Sequence, residues 1–350
     1  MLRVIQWTTG SVGTHAAIAV HEHPELELVG CYAWSEEKSG KDIGELLGIG
    51  NIGVKATNNK DEILATEADC VLYMQQGELN PYGALDDICA LLESGKNVVS
   101  TAVTSLIYPT SMDQQVVDML EESCQKGGTS FHATGIEPGW GAEVLPLTMS
   151  PIFKKVEHIL VQELMDYSTY DQPETMFDMM GFGKDPDEDV IMCDPDLMIP
   201  TFQASIMMVA DGCAAKVEDY IYRREVAVTD ETFDIKVGRI EKGTVAAMRF
   251  SVTGVINGRE AITVEHISRL RPDIAPEWPN GRGWRVTIKG EPSMVLETHI
   301  GTDGEDEVDQ GCMATAMHAV HAVYPVCKAG PGIKTFLDLP MITGRKIFDQ

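Results

Sequence analysis

The chain lacks the paired cysteines that staple small secreted folds. Its eight cysteines (Cys31, Cys70, Cys89, Cys124, Cys193, Cys213, Cys312 and Cys327) are scattered, with no CxxC pair and no histidine at zinc-finger spacing. Several lie in apolar runs, as Cys70 does in ADCVLYM, so free thiols in a reducing cytoplasm fit better than a disulfide framework. Cations are also scarce: 27 Lys and Arg stand against 54 Asp and Glu, a formal net charge of -27. That balance argues against nucleic acid and anionic membranes as partners, because both need clustered Lys and Arg. No uncharged apolar run reaches membrane-spanning length; the nearest, LMIPTFQASIMMVA, is short and holds Pro200. The N-terminus has no basic segment followed by an apolar core and cleavage site, so no signal peptide is expected. GxSxG elbows, Walker loops and HExxH helices are missing as well, which leaves hydrolase and kinase chemistry without support.

What is present is a 350-residue chain, 44% hydrophobic and 23% charged, long enough for two globular domains. From Leu2 to about Gly135, strand-like runs (LRVIQW, ELELVGCYAW, VKAT, CVLYM, NVVST, SFHATG) alternate with helix-period segments. In one of these, Met112, Val116, Val117, Leu120 and Cys124 recur at helical spacing. Strands alternating with helices predict a parallel sheet covered on both faces. After Trp140 the period changes to two: Met248, Phe250 and Val252 alternate with Arg249, Ser251 and Thr253. Asn257-Gly258 then supplies a hairpin turn, and GWRVTIKG repeats the alternation. The expected architecture is α/β, with a Rossmann domain over residues 1–140. An α+β domain with an antiparallel sheet follows over 141–350, its C-terminal tail able to pack back on the first domain.

The opening stretch VIQWTTGSVGTHA is a strand entering a helix through Gly10, Ser11, Val12 and Gly13. This is the pattern of a dinucleotide-binding turn: one glycine for the turn, one for close approach to a pyrophosphate, and free N–H groups at the helix start. Ala16 is small enough for close helix–strand packing. On this reading Gly13→Val removes cofactor binding and leaves the fold intact. An NAD site usually carries an acid at the end of the second strand. Here Tyr32-Ala33-Trp34-Ser35-Glu36-Glu37-Lys38 has none at the strand end itself, and Ser35 and Lys38 suit a 2′-phosphate, so NADP is expected ahead of NAD.

VIQWTTGSVG, HPELELVGCYAW, GKDIGEL, GKNVVST and ATGIEPGW, in that order, resemble the dihydrodipicolinate reductase-like family. That group includes 2,4-diaminopentanoate dehydrogenase and the native NAD(P)-dependent amine dehydrogenases. The resemblance implies hydride transfer to a C=O or C=N carbon, and a homodimer formed largely through the second domain. In the amine dehydrogenases a glutamate after the strand matching NVVST anchors the substrate nitrogen. This chain has Ala102-Val103-Thr104-Ser105-Leu106 there, and Glu137 in place of the family's asparagine before Pro-Gly.

Ligands of open parallel sheets lie beyond the carboxyl ends of the strands. Those ends offer Thr8, Gln75 and Thr101 to the cofactor, with Val103 and Thr104 near the substrate. Glu137 is a candidate general acid, its plainer reading being a helix cap. In DYSTYDQPETMFDMMGFG, Tyr167 and Tyr170 are candidate proton donors or substrate hydrogen-bonders, against a reading as strand-end phenols facing water. Phe177, Met179, Met180 and Phe182 suggest an apolar wall. The proposed roles are catalytic for Glu137, Tyr167 and Thr104, and substrate-binding for Val103, Tyr170 and Phe177. His132 reads as a core histidine, and His21 and His23 as surface residues. DPDEDV and GTDGEDEVDQ lack the calcium-loop positions and read as solvated loops, so no metal is expected. The expected function is a cytoplasmic NAD(P)-dependent oxidoreductase acting on a small, fairly apolar molecule. With no acid at Val103–Thr104, carbonyl reduction is expected ahead of ammonia-dependent amination. An amine dehydrogenase using Glu137 is the alternative, and a non-catalytic NADP(H) sensor is the alternative of another class.

Overall fold

The computed structural model describes residues 1–77, 80–301 and 304–348. These form two compact units, Met1–Gly139 with Cys312–Gln350, and Trp140–Gly311. The first is built from β1 (Leu2–Trp7), α1 (Ser11–Glu22), β2 (Leu26–Tyr32), α2 (Ile43–Leu47), β3 (Ala56–Thr57) and α3 (Lys60–Ala65). There follow β4 (Cys70–Tyr73), α4 (Pro81–Glu93), β5 (Asn97–Ser100), α5 (Gln114–Gly127) and β6 (Ser130–Ala133).

The second unit opens with a π-helical turn, Trp140–Val144, and α6 (Leu145–Met149), then β7 (Lys155–Asp166). A second π-helical turn (Glu174–Met179), α7 (Pro195–Gly212), β8 (Asp219–Val228), β9 (Phe233–Ile235) and β10 (Gly238–Ile240) lead to the long hairpin β11 (Val245–Ile256) and β12 (Arg259–Arg269). β13 (Gly283–Glu291) and β14 (Met294–Glu297) complete it; α8 (Glu307–Lys328) and β15 (Gly332–Ile333) carry the chain back to the first unit.

The first sheet is seven-stranded, order β15-β6-β5-β4-β1-β2-β3, and every pairing is parallel. Because side chains alternate along a strand, its apolar runs feed two cores. Val4, Cys70, Leu72 and Val99 pack with Ala16, Ala17 and Val20 of α1 and with Ala316, Ala319, Val320 and Val323 of α8. Ile5, Trp7, Val71, Tyr73 and Val98 pack with Ile88, Leu91 and Leu92 of α4 and Leu120 of α5. The second compact unit ends at Gly311, and the chain from Cys312 onward belongs to the first. The apolar stripe of α8 completes the first unit's core, and β15 adds an edge strand beside β6.

The second sheet has six strands, order β14-β13-β7-β12-β11-β8. Asn257 and Gly258 both adopt positive φ (52° and 69°), the geometry of the expected hairpin turn. The sheet is mixed rather than antiparallel, since β7 runs parallel to β12. Sequence alternation sees only neighbours in the chain, whereas β7 arrives from far upstream and inserts between β12 and β13. One face is apolar and packs on α7, with Phe202 against Phe250 at 5.3 Å. The other carries a polar network in which Gln162 Nε2 and Arg249 Nε both donate to Glu265, at 2.5 and 2.8 Å.

Candidate functional site

In the first unit the chain turns from β1 into α1 through a strained residue that is not a glycine. Thr8 sits at φ 74°, a conformation that costs a β-branched side chain about 1–3 kcal/mol. Three hydrogen bonds hold it there. Its N–H donates to Tyr32 O at 2.8 Å, its hydroxyl donates to Met74 O at 3.1 Å, and its carbonyl accepts Gln6 Nε2 at 3.0 Å. Thr8 therefore ties three strand ends together, through its N–H to β2 and its hydroxyl to the end of β4. Gly10 is the N-cap of α1, and the helix has no side-chain cap. A Cβ on Gly10 would meet nothing within 4 Å, whereas one on Gly13 would lie 2.4 Å from Thr8 O and 2.9 Å from Gln6 Nε2. Gly13 is buried against β1 and lets helix and strand touch. The open approach is at Gly10, with exposed Ser11 and half-buried Val12 beside it.

Lys38 reaches this turn. Its Nζ donates to Thr9 Oγ1 at 2.9 Å, placing a cation at the uncapped helix start. Ser35 lies in the turn before it, its carbonyl accepting Lys38 N at 3.1 Å. Beyond β4, Gln75 Oε1 accepts the Trp7 indole N–H at 3.2 Å, while Gln76 is exposed. Thr101 extends β5 by a bond to Tyr73 O at 3.0 Å. Val103 is 5% exposed and belongs to the core over Ile88 and Leu92, and Thr104 begins a short 3-10 turn. Glu137 lies in a tight reversal after β6, where Ile136 and Gly139 pair and both carboxylate oxygens are shielded from solvent.

Beyond this reversal the buried His132 has the half-buried His318 as a neighbour. His132 is fully buried, Nδ1 donating to Lys334 O at 2.7 Å, and His318 Nδ1 lies 2.7 Å from Thr134 Oγ1. Burial pushes each down to about 4, so both are neutral near neutrality. His132 is a core residue, as its strand position implies. His21 is exposed, but His23 is half-buried and its Nε2 lies 3.1 Å from Arg345 O, a contact with the distant tail that local sequence does not reveal.

In the second unit Tyr167 donates its hydroxyl to Glu163 Oε1 at 2.9 Å. His266 Nδ1 lies 3.5 Å from the same oxygen. Tyr170 stands edge-on to Tyr167 with ring centroids 5.6 Å apart. Phe177 packs over Gly183 and Gly238, between buried Met176 and Met180, and so builds an apolar wall. Sequence reading passed over Glu163 and His266. The available signal was an acid in the apolar phase of ILVQELM, on the face that carries Ile159 and Val161. A separate pocket of about 390 Å³ is lined by Asp166, Arg269, Pro272, Asn280, Arg282 and Glu307. Its cations are already engaged: Arg269 donates to three backbone carbonyls and Arg282 pairs with Glu307.

DPDEDV is an exposed loop up to Val190, and Glu307 to Gln310 form the first turn of α8, where acids suit the helix dipole. Residues 302 and 303 of the second acidic run lie outside the described residues. Among the described residues no group of three or more His, Cys, Asp or Glu could hold a metal, and no helix is long and apolar enough to cross a membrane. All eight cysteines are free, four of them buried.

Residues 4–125 match the family model of the dihydrodipicolinate reductase N-terminus, and residues 142–347 match that of the 2,4-diaminopentanoate dehydrogenase C-terminal domain. An amine dehydrogenase of Streptomyces virginiae is 32% identical over 348 residues, 97% of each chain. A 2,4-diaminopentanoate dehydrogenase of Acetoanaerobium sticklandii is 25% identical over 288 residues, 81% of this chain and 76% of that one. The solved amine dehydrogenase of Mycobacterium smegmatis shares the fold, with TM-score 0.81 at 18% identity over 99% of this chain and 98% of that one. The chain therefore belongs to the 2,4-diaminopentanoate dehydrogenase family, joined to a dihydrodipicolinate reductase-like N-terminus, and is an NAD(P)-dependent oxidoreductase.

Proposed function

We propose that this protein is an amine dehydrogenase with NADP as its preferred cofactor. The reaction converts a primary ammonium, oxidised cofactor and water into a carbonyl, ammonium ion, reduced cofactor and a proton, and runs in both directions. The observation that carries this reading is the 32% identity to an amine dehydrogenase along 97% of both chains, which spans both units. It favours amine chemistry over the plain carbonyl reduction expected from the Val103–Thr104 segment.

The residues at the first βα turn fit a dinucleotide. The uncapped N-terminus of α1 presents backbone N–H groups, Gly10 leaves room for close approach, and Lys38 adds a positive charge. When bound, the nicotinamide accepts or delivers the hydride. The chain's own part is to hold the pyrophosphate on α1, exclude water and bind the nitrogen. Glu137, with both oxygens shielded, is the first unit's candidate to hold or move a proton. The first unit is thus read as the cofactor domain, and the second as the substrate and dimerisation domain. Edge strand β14 exposes Met294, Val295 and Leu296, an apolar edge that a second copy would cover in a homodimer. The free cysteines suit the cytoplasm.

Turnover of NADPH with a panel of ketones and aldehydes, with and without ammonium, tests the reaction. Ammonium-dependent oxidation is expected; equal rates without ammonium refute it. Lys38→Ala is expected to raise the KM for NADP about tenfold, the loss of one charge-assisted contact, with NAD changed far less. Equal losses for both cofactors would reduce Lys38 to a brace for Thr9.

A further inference from the structure

We propose that Glu163 and Tyr167 form the recognition element for a protonated nitrogen, an ammonium or iminium carried by the substrate. The inference rests on the amine reading above and assigns the charge recognition to a site in the second unit. Glu163 lies on the apolar face of the six-stranded sheet, its side chain 9% exposed. Desolvating a carboxylate is costly unless an opposite charge or hydrogen bonds offset it. Its cross-strand neighbours are His266 on β12 and Trp284 on β13. His266 is ringed by Phe250, stacked at 4.9 Å, and by Phe202, edge-on at 5.1 Å. Burial lowers the imidazole's proton affinity and keeps it neutral, so neither cross-strand neighbour offers Glu163 a positive charge.

The direction of the Tyr167 hydrogen bond decides the polarity. The phenol hydrogen is given to Glu163 Oε1 at 2.9 Å, so any further hydrogen bond at the phenol oxygen is one that it accepts. Towards any third group Tyr167 is therefore an acceptor. A carbonyl oxygen has no hydrogen to give to a carboxylate and a phenol lone pair; an N–H bearing cation gives two. The pair thus selects an ammonium or iminium over its neutral oxygen counterpart. Two nitrogens beside it, His266 Nε2 and Trp284 Nε1, are buried with no partner among the described residues, so the neighbourhood is not a self-satisfied network.

The test uses the protein saturated with NADPH, in which an amine binds but cannot be oxidised. Calorimetric titration compares sec-butylammonium with butan-2-ol, a neutral near-isostere. The wild type is expected to prefer the ammonium. Glu163→Gln, which keeps an acceptor for Tyr167, is expected to weaken ammonium binding at least about tenfold and to leave butan-2-ol and NADPH affinity unchanged. Tyr167→Phe is expected to weaken ammonium binding severalfold, and it decides the matter should the Gln variant fail to fold. Unchanged ammonium affinity in a folded variant, or a wild type that prefers the alcohol, overturns the proposal. Ammonium-dependent turnover that survives such a result would leave the reaction standing and move the nitrogen site elsewhere. Glu163-dependent ammonium binding without turnover would do the reverse.

Discussion

Gly13→Ala is expected to destabilise the first unit by about 3 kcal/mol, the upper end of what overpacking a tight contact costs. For a unit of this size that lowers Tm by roughly 6–12 °C. The added methyl would stand 2.4 Å from the carbonyl oxygen of Thr8, which is backbone and cannot rotate away. Thr8 already sits at φ 74° and is held by three hydrogen bonds, so relaxation there breaks the tie between β1, β2 and β4. Gly10→Ala is the control. Its Cβ meets nothing within 4 Å, so stability should hold while NADPH affinity falls. Thermal melts of both variants without cofactor, followed by titration with NADPH, separate the two glycines. Equal melting temperatures for Gly13→Ala and wild type would show that α1 can move off β1 without cost.

Acid is expected to unfold the first unit before its carboxylates titrate. His132 and His318 have folded values near 4, against an ordinary 6.5, because burial disfavours the charged ring. Between those values the unfolded chain binds more protons than the folded one, so stability rises with pH and is lost as pH falls from 6.5 towards 4. For His132 alone the window amounts to roughly 3 kcal/mol. The two rings are neighbours, so the first proton discourages the second and the effects do not simply add. His321 in the same unit is shifted in the same direction by burial and adds to the trend. Urea unfolding at pH 7 and pH 5 measures the difference. His132→Leu should flatten it, at the cost of the bond to Lys334 O. A wild type equally stable at both pH values would mean that water reaches these rings in the folded state.

Much of the first unit was legible in the residues themselves. Alternating apolar strands and helix-period segments gave the parallel sheet, because burial on both faces writes continuous apolar runs such as VLY in β4. The turn at Gly10–Gly13 was legible for the same local reason: a strand must enter a helix through small residues if the two are to pack. What each glycine does was not legible. Spacing alone cannot say that Gly13 meets Thr8 O, or that the left-handed residue is Thr8. The second sheet shows the same limit, since the hairpin at Asn257-Gly258 is local while the insertion of β7 between β12 and β13 is not.

The candidate sites divide along the same line. Sequence by itself determined the strand-to-helix turn at Gly10–Gly13 and singled out Lys38 and Tyr167 as polar residues with a candidate role. Only the tertiary structure decided that the Tyr167 hydroxyl donates to Glu163, four residues back along the chain. It also decided that α8, distant in sequence, completes the core over β1 and β4 and brings His318 to Thr134. Periodicity reports which face of an element is buried, because that depends on neighbours three or four residues away. Which partner meets that face depends on contacts between segments separated by up to hundreds of residues, and these arise only when the chain has folded.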